Sequence, residues 1–155
     1  MTTLSTLLAS IASAIAKNAA LETYCQTNFG KSISVHVHID PKNPPSIAKA
    51  PWVGLTIQGY SRPTENRALI VNFDLETAVY CEKSTETTSG KITTLDGFSK
   101  IEGLSDLVFS IIEAAVTHAS AQLSMDYISE QGKSIGIAEF PGWIAARTWT
   151  IGKHA

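Results

Sequence analysis

The segment from Arg67 to Glu82 alternates apolar and polar residues, and this pattern constrains the fold more than any other feature of the chain. Successive side chains of a strand point to opposite faces, so this segment has one apolar and one polar face. The apolar face is formed by Leu69, Val71, Phe73, Leu75, Val79 and Cys81, and the polar face by Asn72, Asp74, Glu76, Tyr80 and Glu82. Such a strand belongs in a sheet that is covered on one side. Because it is longer than most strands, we expect a bend or bulge within it.

Two segments have the apolar spacing of amphipathic helices that can cover this face. We expect the first helix to run from Leu4 to about Cys25, with Gly30 as its C-terminal stop. Its apolar stripe is Leu4, Leu7, Leu8, Ile11 and Ile15. The second helix follows Ser99 and Glu102, which fit a capping box. Its stripe is Leu104, Leu107, Val108, Ile111, Ile112, Ala115 and Ala119.

Three further segments have strand character. Ser32 to Ile39 alternates strictly, Trp52 to Gly59 places Val53, Leu55 and Ile57 inward, and Ile135 to Ile151 returns to strand with an interruption at Pro141 and Gly142. The four prolines between Asp40 and Pro51 predict an extended loop. This order of elements predicts an α+β fold, in which an antiparallel or mixed β-sheet has two main helices packed on one face. The length of 155 residues fits a single domain, 1–155.

The segment from Lys83 to Lys100 is rich in Ser, Thr and Gly and lacks apolar periodicity. We expect a mobile polar loop or an extended hairpin at about 83–100. Such segments often carry function, because a scaffold positions them on the surface.

The charge balance disfavours a dedicated DNA-binding protein, because 12 basic residues face 14 acidic ones and the net charge is -2. No positive charge precedes the apolar run from Leu4 to Ala16, as a secretory signal requires, and the run is too short to span a bilayer. We therefore expect synthesis in the cytoplasm and no membrane span. Cys25 and Cys81 do not form a C-x-x-C motif and are interpreted as reduced thiols.

Two residue pairs deserve a test as chemical sites. His36 and His38 form an H-x-H pattern that places both imidazoles on one strand face, a spacing used by metal sites, with Asp40 as a possible further ligand. Asp74 and Glu76 also share a face and could perform acid/base work if buried. The alternative for each pair is a solvated polar face. No P-loop, G-x-S-x-G or G-x-G-x-x-G motif is present, so we expect neither a cofactor nor an enzyme.

The aromatic and charged residues of the strands are candidates for a protein interface. Trp is favoured both in cores and at interfaces, where its ring is buried and its N–H finds a partner. The interface candidates are Trp52, Arg67, Asp74, Glu76, Trp143, Arg147 and Trp149.

The order and spacing of the elements resemble the tail terminator (tail-completion) proteins of long-tailed bacteriophages. The resemblance rests on the first amphipathic helix, the proline-containing loop, the long third strand, the second amphipathic helix and the closing strands from Ile135 to Ile151. Within it, Pro51-Trp52-Val53-Gly54-Leu55 stands where such proteins often have Pro-Tyr-Val. Trp52 departs from the commoner Tyr, and the segment from Lys83 to Lys100 need not match any one relative.

The resemblance implies a homo-hexameric ring at the head-proximal end of the virion tail. The ring would cap the tail tube, end polymerisation of the major tail tube protein and join the tail to the head-completion or connector protein. The genome would pass through without specific binding, which agrees with the lack of net positive charge. Alternatives are a small metal-dependent β enzyme that uses His36 and His38, another head-tail completion protein, and a stand-alone bacterial interaction domain of the same fold.

Overall fold

A computed structural model describes residues 4–40, 42–61, 70–80, 86–117, 127–139 and 142–152. Its helices are α1 (Leu4–Ala16), α2 (Ala19–Phe29) and α3 (Asp96–Thr117), with a short 3-10 helix at Ile47–Lys49. Its strands are β1 (Ser34–Val37), β2 (Trp52–Ser61), β3 (Ile70–Tyr80), β4 (Glu86–Ser89), β5 (Ile92–Leu95), β6 (Tyr127–Glu139) and β7 (Gly142–Gly152). The predicted α+β class is confirmed. None of the described helices is both long and apolar enough to cross a membrane.

Within the described ranges, five strands form one mixed sheet in the order β1-β2-β3-β7-β6, in which only the β1–β2 pair is parallel. The strand that the sequence singled out, β3, therefore lies in the centre. Its Leu75 is opposite Leu55 of β2 on one side and Arg147 of β7 on the other. Strands β4 and β5 form a separate two-stranded sheet. The odd-numbered residues of β3, of β7 and of β2 up to Ile57 share one face, which we call the inner face, and the even-numbered residues share the opposite, outer face.

The inner face is buried against the helices. The main core combines sheet residues with residues of α1, α2 and α3. Its sheet members include Val53, Leu55, Leu75, Val79, Ala145 and Ile151, and its helix members include Leu7, Ile11, Ile15, Leu21, Leu104, Val108 and Ile112. Helix α2 is fixed to α3 by Tyr24, whose hydroxyl donates a hydrogen bond to the carbonyl oxygen of Lys100 at 2.9 Å. A side chain at Gly103 would collide with that tyrosine, so a glycine stands at this crossing.

The first predicted helix is two helices, so the single span from Leu4 to about Cys25 was wrong. α1 ends at Ala16, and Asn18 caps α2, because its side chain accepts a hydrogen bond from the backbone N–H of Leu21 at 2.9 Å. Asn competes with the helical backbone in this way and is therefore common at helix starts. The predicted stop is confirmed: Gly30 has φ 65 and donates its N–H to the carbonyl of Gln26.

The second predicted helix begins earlier than the capping box indicated. α3 starts at Asp96, and Ser99 lies inside its first turn, where its hydroxyl donates to the carbonyl of Asp96 at 3.0 Å. Asp96 favours this start because a carboxylate complements the positive end of the helix, and Lys100 pairs with it at 3.0 Å. Within the segment at about 83–100, a β4–β5 hairpin occupies the stretch before this helix. Residues 83–85 lie outside the described residues, and mobility of the segment stays a prediction.

Three strand predictions need correction. β1 is shorter than Ser32 to Ile39 and ends at Val37, because His38 adopts a positive φ of 58. The register of β3 with β7 is continuous, and the irregularity against β2 lies between Ile57 and Gly59, so the expected bulge is in β2 rather than in β3. The final strand region begins at Tyr127, well before Ile135, and is an antiparallel β6–β7 pair.

The packing of helix α3 on the sheet should contribute strongly to stability. Ile112 is fully buried in the core, and its replacement by Ala should destabilise the fold by about 2–5 kcal/mol, because transfer energy is lost and a cavity remains. Leu107 is only half-buried, contrary to its place in the predicted buried stripe, so Leu107→Ala is a matched control with a smaller loss. Urea unfolding of both variants tests this. Equal losses would contradict the placement of α3.

Candidate functional site

The outer face of the sheet carries a ladder of polar side chains around Asp74. Because Thr56, Asp74 and Thr148 are opposite one another in the register, their side chains line up across three strands. The hydroxyl of Thr148 donates to Oδ1 of Asp74 at 2.9 Å, and the amide of Gln58 donates to Oδ2. Both carboxylate oxygens are therefore engaged. Asp74 is held in one orientation instead of moving freely in solvent.

A second rung lies beside the first. The hydroxyl of Thr150 on β7 donates to Oδ1 of Asn72 on β3 at 3.1 Å. Asp74 was predicted from the sequence, whereas Gln58 and Thr148, which bind it, and Thr150, which binds Asn72, were not. The alternation of threonines at 148 and 150 between buried residues was the signal that could have found two of them. Together these residues form what we call the polar ladder: Gln58, Asn72, Asp74, Thr148 and Thr150.

Glu76 lies at the border of the polar ladder and differs from Asp74 in its environment. It is opposite Gly54 on β2 and Ala146 on β7, so its immediate neighbours are small. Burial, and secondarily the negative charge of Asp74, raise the pKa of the Glu76 carboxyl above its ordinary value. The side chain of Ile39 lies over Gly54, where any side chain would collide with it. A larger residue there would force the Ile39 side chain to move, so glycine lets the loop lie close to this part of the sheet.

The part of the outer face around Trp52 is covered by the loop between β1 and β2. Trp52 is 2% exposed and packs with Ala50, Ile39, Ile47 and Ile144 in a second apolar cluster. The ring of His36 meets the Trp52 ring edge-on, with 6.2 Å between centroids. Two parallel neighbours require a connection that crosses a face of the sheet, which explains why this loop lies there. Trp52 is thus covered by its own chain.

The H-x-H pattern of His36 and His38 is interrupted by the end of β1. His36 lies on β1, with Nε2 at 3.2 Å from the hydroxyl of Ser34. His38 lies after the end of the strand at φ 58, so the two-residue alternation does not reach it. Among the residues that the structure describes, no group of three or more His, Cys, Asp or Glu side chains is placed to hold a metal ion.

Arg147 projects from β7 into the helix layer and is 4% exposed. Its guanidinium forms an ion pair with Asp106 of α3 and lies 5.0 Å from the centre of the Phe109 ring. Asp106 also pairs with Lys133 of β6 at 3.1 Å. Burial alone would raise the pKa of Asp106, but the hydrogen bonds and charges of Lys133 and Arg147 hold it below its ordinary value. The arginine therefore joins α3 to the sheet.

Two other interface candidates lie on the same inner face. Trp149 is fully buried, with its ring edge-on to Phe109 at 4.9 Å between centroids. Trp143 is nearly buried, and a side chain at Gly97 would collide with its indole. Burial leaves Trp52, Trp143, Trp149 and Arg147 little surface for another subunit. Arg67 lies outside the described residues. Asp74 and Glu76 are the two candidates on the accessible outer face.

Cys25 is a buried free thiol of α2. Burial, together with the charge of Glu22, raises its pKa to about 11. A thiol with this pKa stays protonated at neutral pH and is a poor nucleophile. Cys81 lies outside the described residues.

A comparison with models of known protein families gives no match for this chain. A comparison with curated protein sequences gives none either.

The raised pKa of Glu76 predicts a pH-dependent stability. A carboxyl whose pKa is raised on folding is costly to ionise in the folded state, so the contribution of Glu76 to stability should fall as pH rises above 4.5, the ordinary pKa. Glu76→Gln removes that cost and should raise the free energy of unfolding at neutral pH. The advantage should vanish as pH falls to the ordinary value and below.

Asp106→Asn is the matched control, because the pKa of Asp106 is shifted in the opposite direction. That variant should be less stable than the unmodified chain at neutral pH, and its deficit should shrink in acid. Urea unfolding across a pH series measures both variants. Equal pH dependence of Glu76→Gln and the unmodified chain would contradict the environment described for Glu76.

Proposed function

We propose that this chain is a structural protein of a phage tail, which assembles as a homo-hexameric ring at the head-proximal end of the tail tube. The ring ends polymerisation of the major tail tube protein and presents a surface to the head-completion or connector protein. It acts by binding and not by catalysis. The genome passes through the ring without specific contacts.

The polar ladder is the structural observation that best supports this proposal. It provides an accessible sheet face whose hydrogen-bonding groups are already oriented, so ordering this face on contact with another subunit costs little entropy. The carboxylate of Asp74, with Glu76 at the border of the ladder, gives this face a negative charge that suits contact with proteins rather than with nucleic acid. The other support is the resemblance in element order, from the N-terminal helix to the closing strands.

The alternative of a metal-dependent enzyme assumes that His36 and His38 lie two residues apart on one strand. Because β1 ends at Val37 and His38 has a positive φ, that strand does not include His38. No described contact favours another head-tail completion role over the terminator role. The two differ in where the ring sits in the particle, which is the quantity to measure.

The role of the outer face is testable by substitution. Asp74→Ala should leave the monomer folded, because the carboxylate is partly solvated and its loss removes hydrogen bonds worth about 0.5–3 kcal/mol in total. If this face contacts a neighbouring subunit or the tube, the variant should weaken assembly and give tails of irregular length. Thermal melts and electron microscopy of tails made with the variant measure the two effects.

Glu113→Ala is the control, because Glu113 is an exposed acid on α3, on the opposite side of the sheet. It removes the same charge without touching the polar ladder and should give tails of normal length. Uniform, normal tails from Asp74→Ala and from Glu76→Ala would remove the outer face from the assembly contact.

A further inference from the structure

Strand β6 presents a free edge. It is the last strand in the sheet order and pairs with β7, so within the described residues its other side has unpaired backbone N–H and C=O groups. The register with β7 is irregular between Glu130 and Gly132 and again between Ile137 and Glu139. Bulges blunt an edge where they occur. The regular stretch between them, 132–137, is left as a template for one more strand.

An apolar patch lies at one end of this stretch. Ile137 is 52% exposed and is opposite Trp143 in the register. Phe98, from the first turns of α3, is 44% exposed and meets the Trp143 ring edge-on at 6.2 Å between centroids. Ile137 and Phe98 therefore flank the nearly buried indole. We call these three residues the edge patch.

The β4–β5 hairpin has the features of a segment that could pair with this edge, namely exposed strands and an exposed apolar side chain. It is a sheet of its own, and residues 88–94 are all exposed. Ile92, at the start of β5, is 69% exposed. A two-stranded hairpin with no other strand beside it is marginally stable in water. Each of its strands has 4 residues, which fits within the stretch 132–137.

From these features we infer that the β4–β5 hairpin of one copy adds as a strand to the 132–137 edge of a second copy. Backbone hydrogen bonds satisfy the free edge of β6, as in other cases of strand addition. Ile92 then covers the edge patch of the second copy, so each partner removes the exposed apolar residue of the other from water. This inference rests on the proposed function only for its choice of a second copy as the occupant.

A second copy fits because every chain carries both halves of the junction, the hairpin and the edge. The two halves are different surfaces, so the contact is heterologous and repeats from copy to copy. A heterologous contact closes into a ring if the rotation per copy allows it. Two copies could also each add their hairpin to the edge of the other and form a closed dimer. A dimer of this kind would support the hairpin junction but not the hexameric ring.

Paired cysteines test the junction directly, because the positions chosen in both halves are exposed. The first pair is Ile92→Cys with Ile137→Cys, and the second is Thr93→Cys with Ser134→Cys, on the opposite faces of the same strands. Both are made in a Cys81→Ser background, and circular dichroism checks their fold. A short bismaleimide is added to the concentrated full-length chain, and products are resolved by denaturing electrophoresis.

At least one pair should give products that link separate copies. In the control pair, Thr27→Cys, at an exposed position on α2, replaces the hairpin cysteine. This control should give no cross-links between copies and should migrate as a monomer on the denaturing gel. If both pairs give only internally linked monomer, or no more product than the control, the hairpin does not dock on the edge of another copy.

The sizes of the products also distinguish the two proposals. A ladder that ends at the hexamer agrees with both. Cross-linked products no larger than a dimer would support the hairpin junction and contradict the ring. Native mass spectrometry could instead find a hexamer of chains that do not cross-link at either cysteine pair. That result would support the ring and contradict the hairpin junction.

Discussion

The burial of one face of β3 is the constraint on which the rest of the structure depends. Leu75 and Val79 must leave water, and their strand lies in the middle of the sheet, so the neighbouring strands have to continue the same apolar face. Val53, Leu55, Ala145 and Trp149 do so on β2 and β7. Helices α1 and α3 then have a surface to cover. Arg147 is accommodated on this apolar face, because its guanidinium forms an ion pair with Asp106 of α3 and lies over the ring of Phe109.

Much of this fold could be predicted from the sequence, because period-two and period-3.6 patterns record which residues are buried. The stripe of α1, the stop at Gly30 and the inward set of β2 all followed from such patterns. The break at Asn18 could not be predicted with equal ease, since an apolar stripe continues across a cap. The start of β6 at Tyr127 was missed because edge strands are exposed on more sides and alternate weakly.

The candidate site was less predictable, since parity along one strand does not reveal what covers each face. Trp52 has the parity of the outer face and yet is buried, because the β1–β2 connection folds over it. Arg147 has inner parity, where a charge is unexpected, and needs Asp106 from a distant helix. Asp74 and Glu76 were correctly grouped on one face, but their different surroundings depend on Gln58, Thr148 and the loop residue Ile39.

We propose that the chain functions as a repeated subunit. The oriented polar face, the exposed β4–β5 hairpin and, within the described residues, the unpaired edge of β6 all lie on the outside of the fold. The most direct test of this claim is the oligomeric state in the presence of assembled tail tubes. Negative-stain electron microscopy with native mass spectrometry should find a closed homo-hexamer seated on one end of each tube. A stable two-fold dimer, both in solution and in particles, would contradict the account.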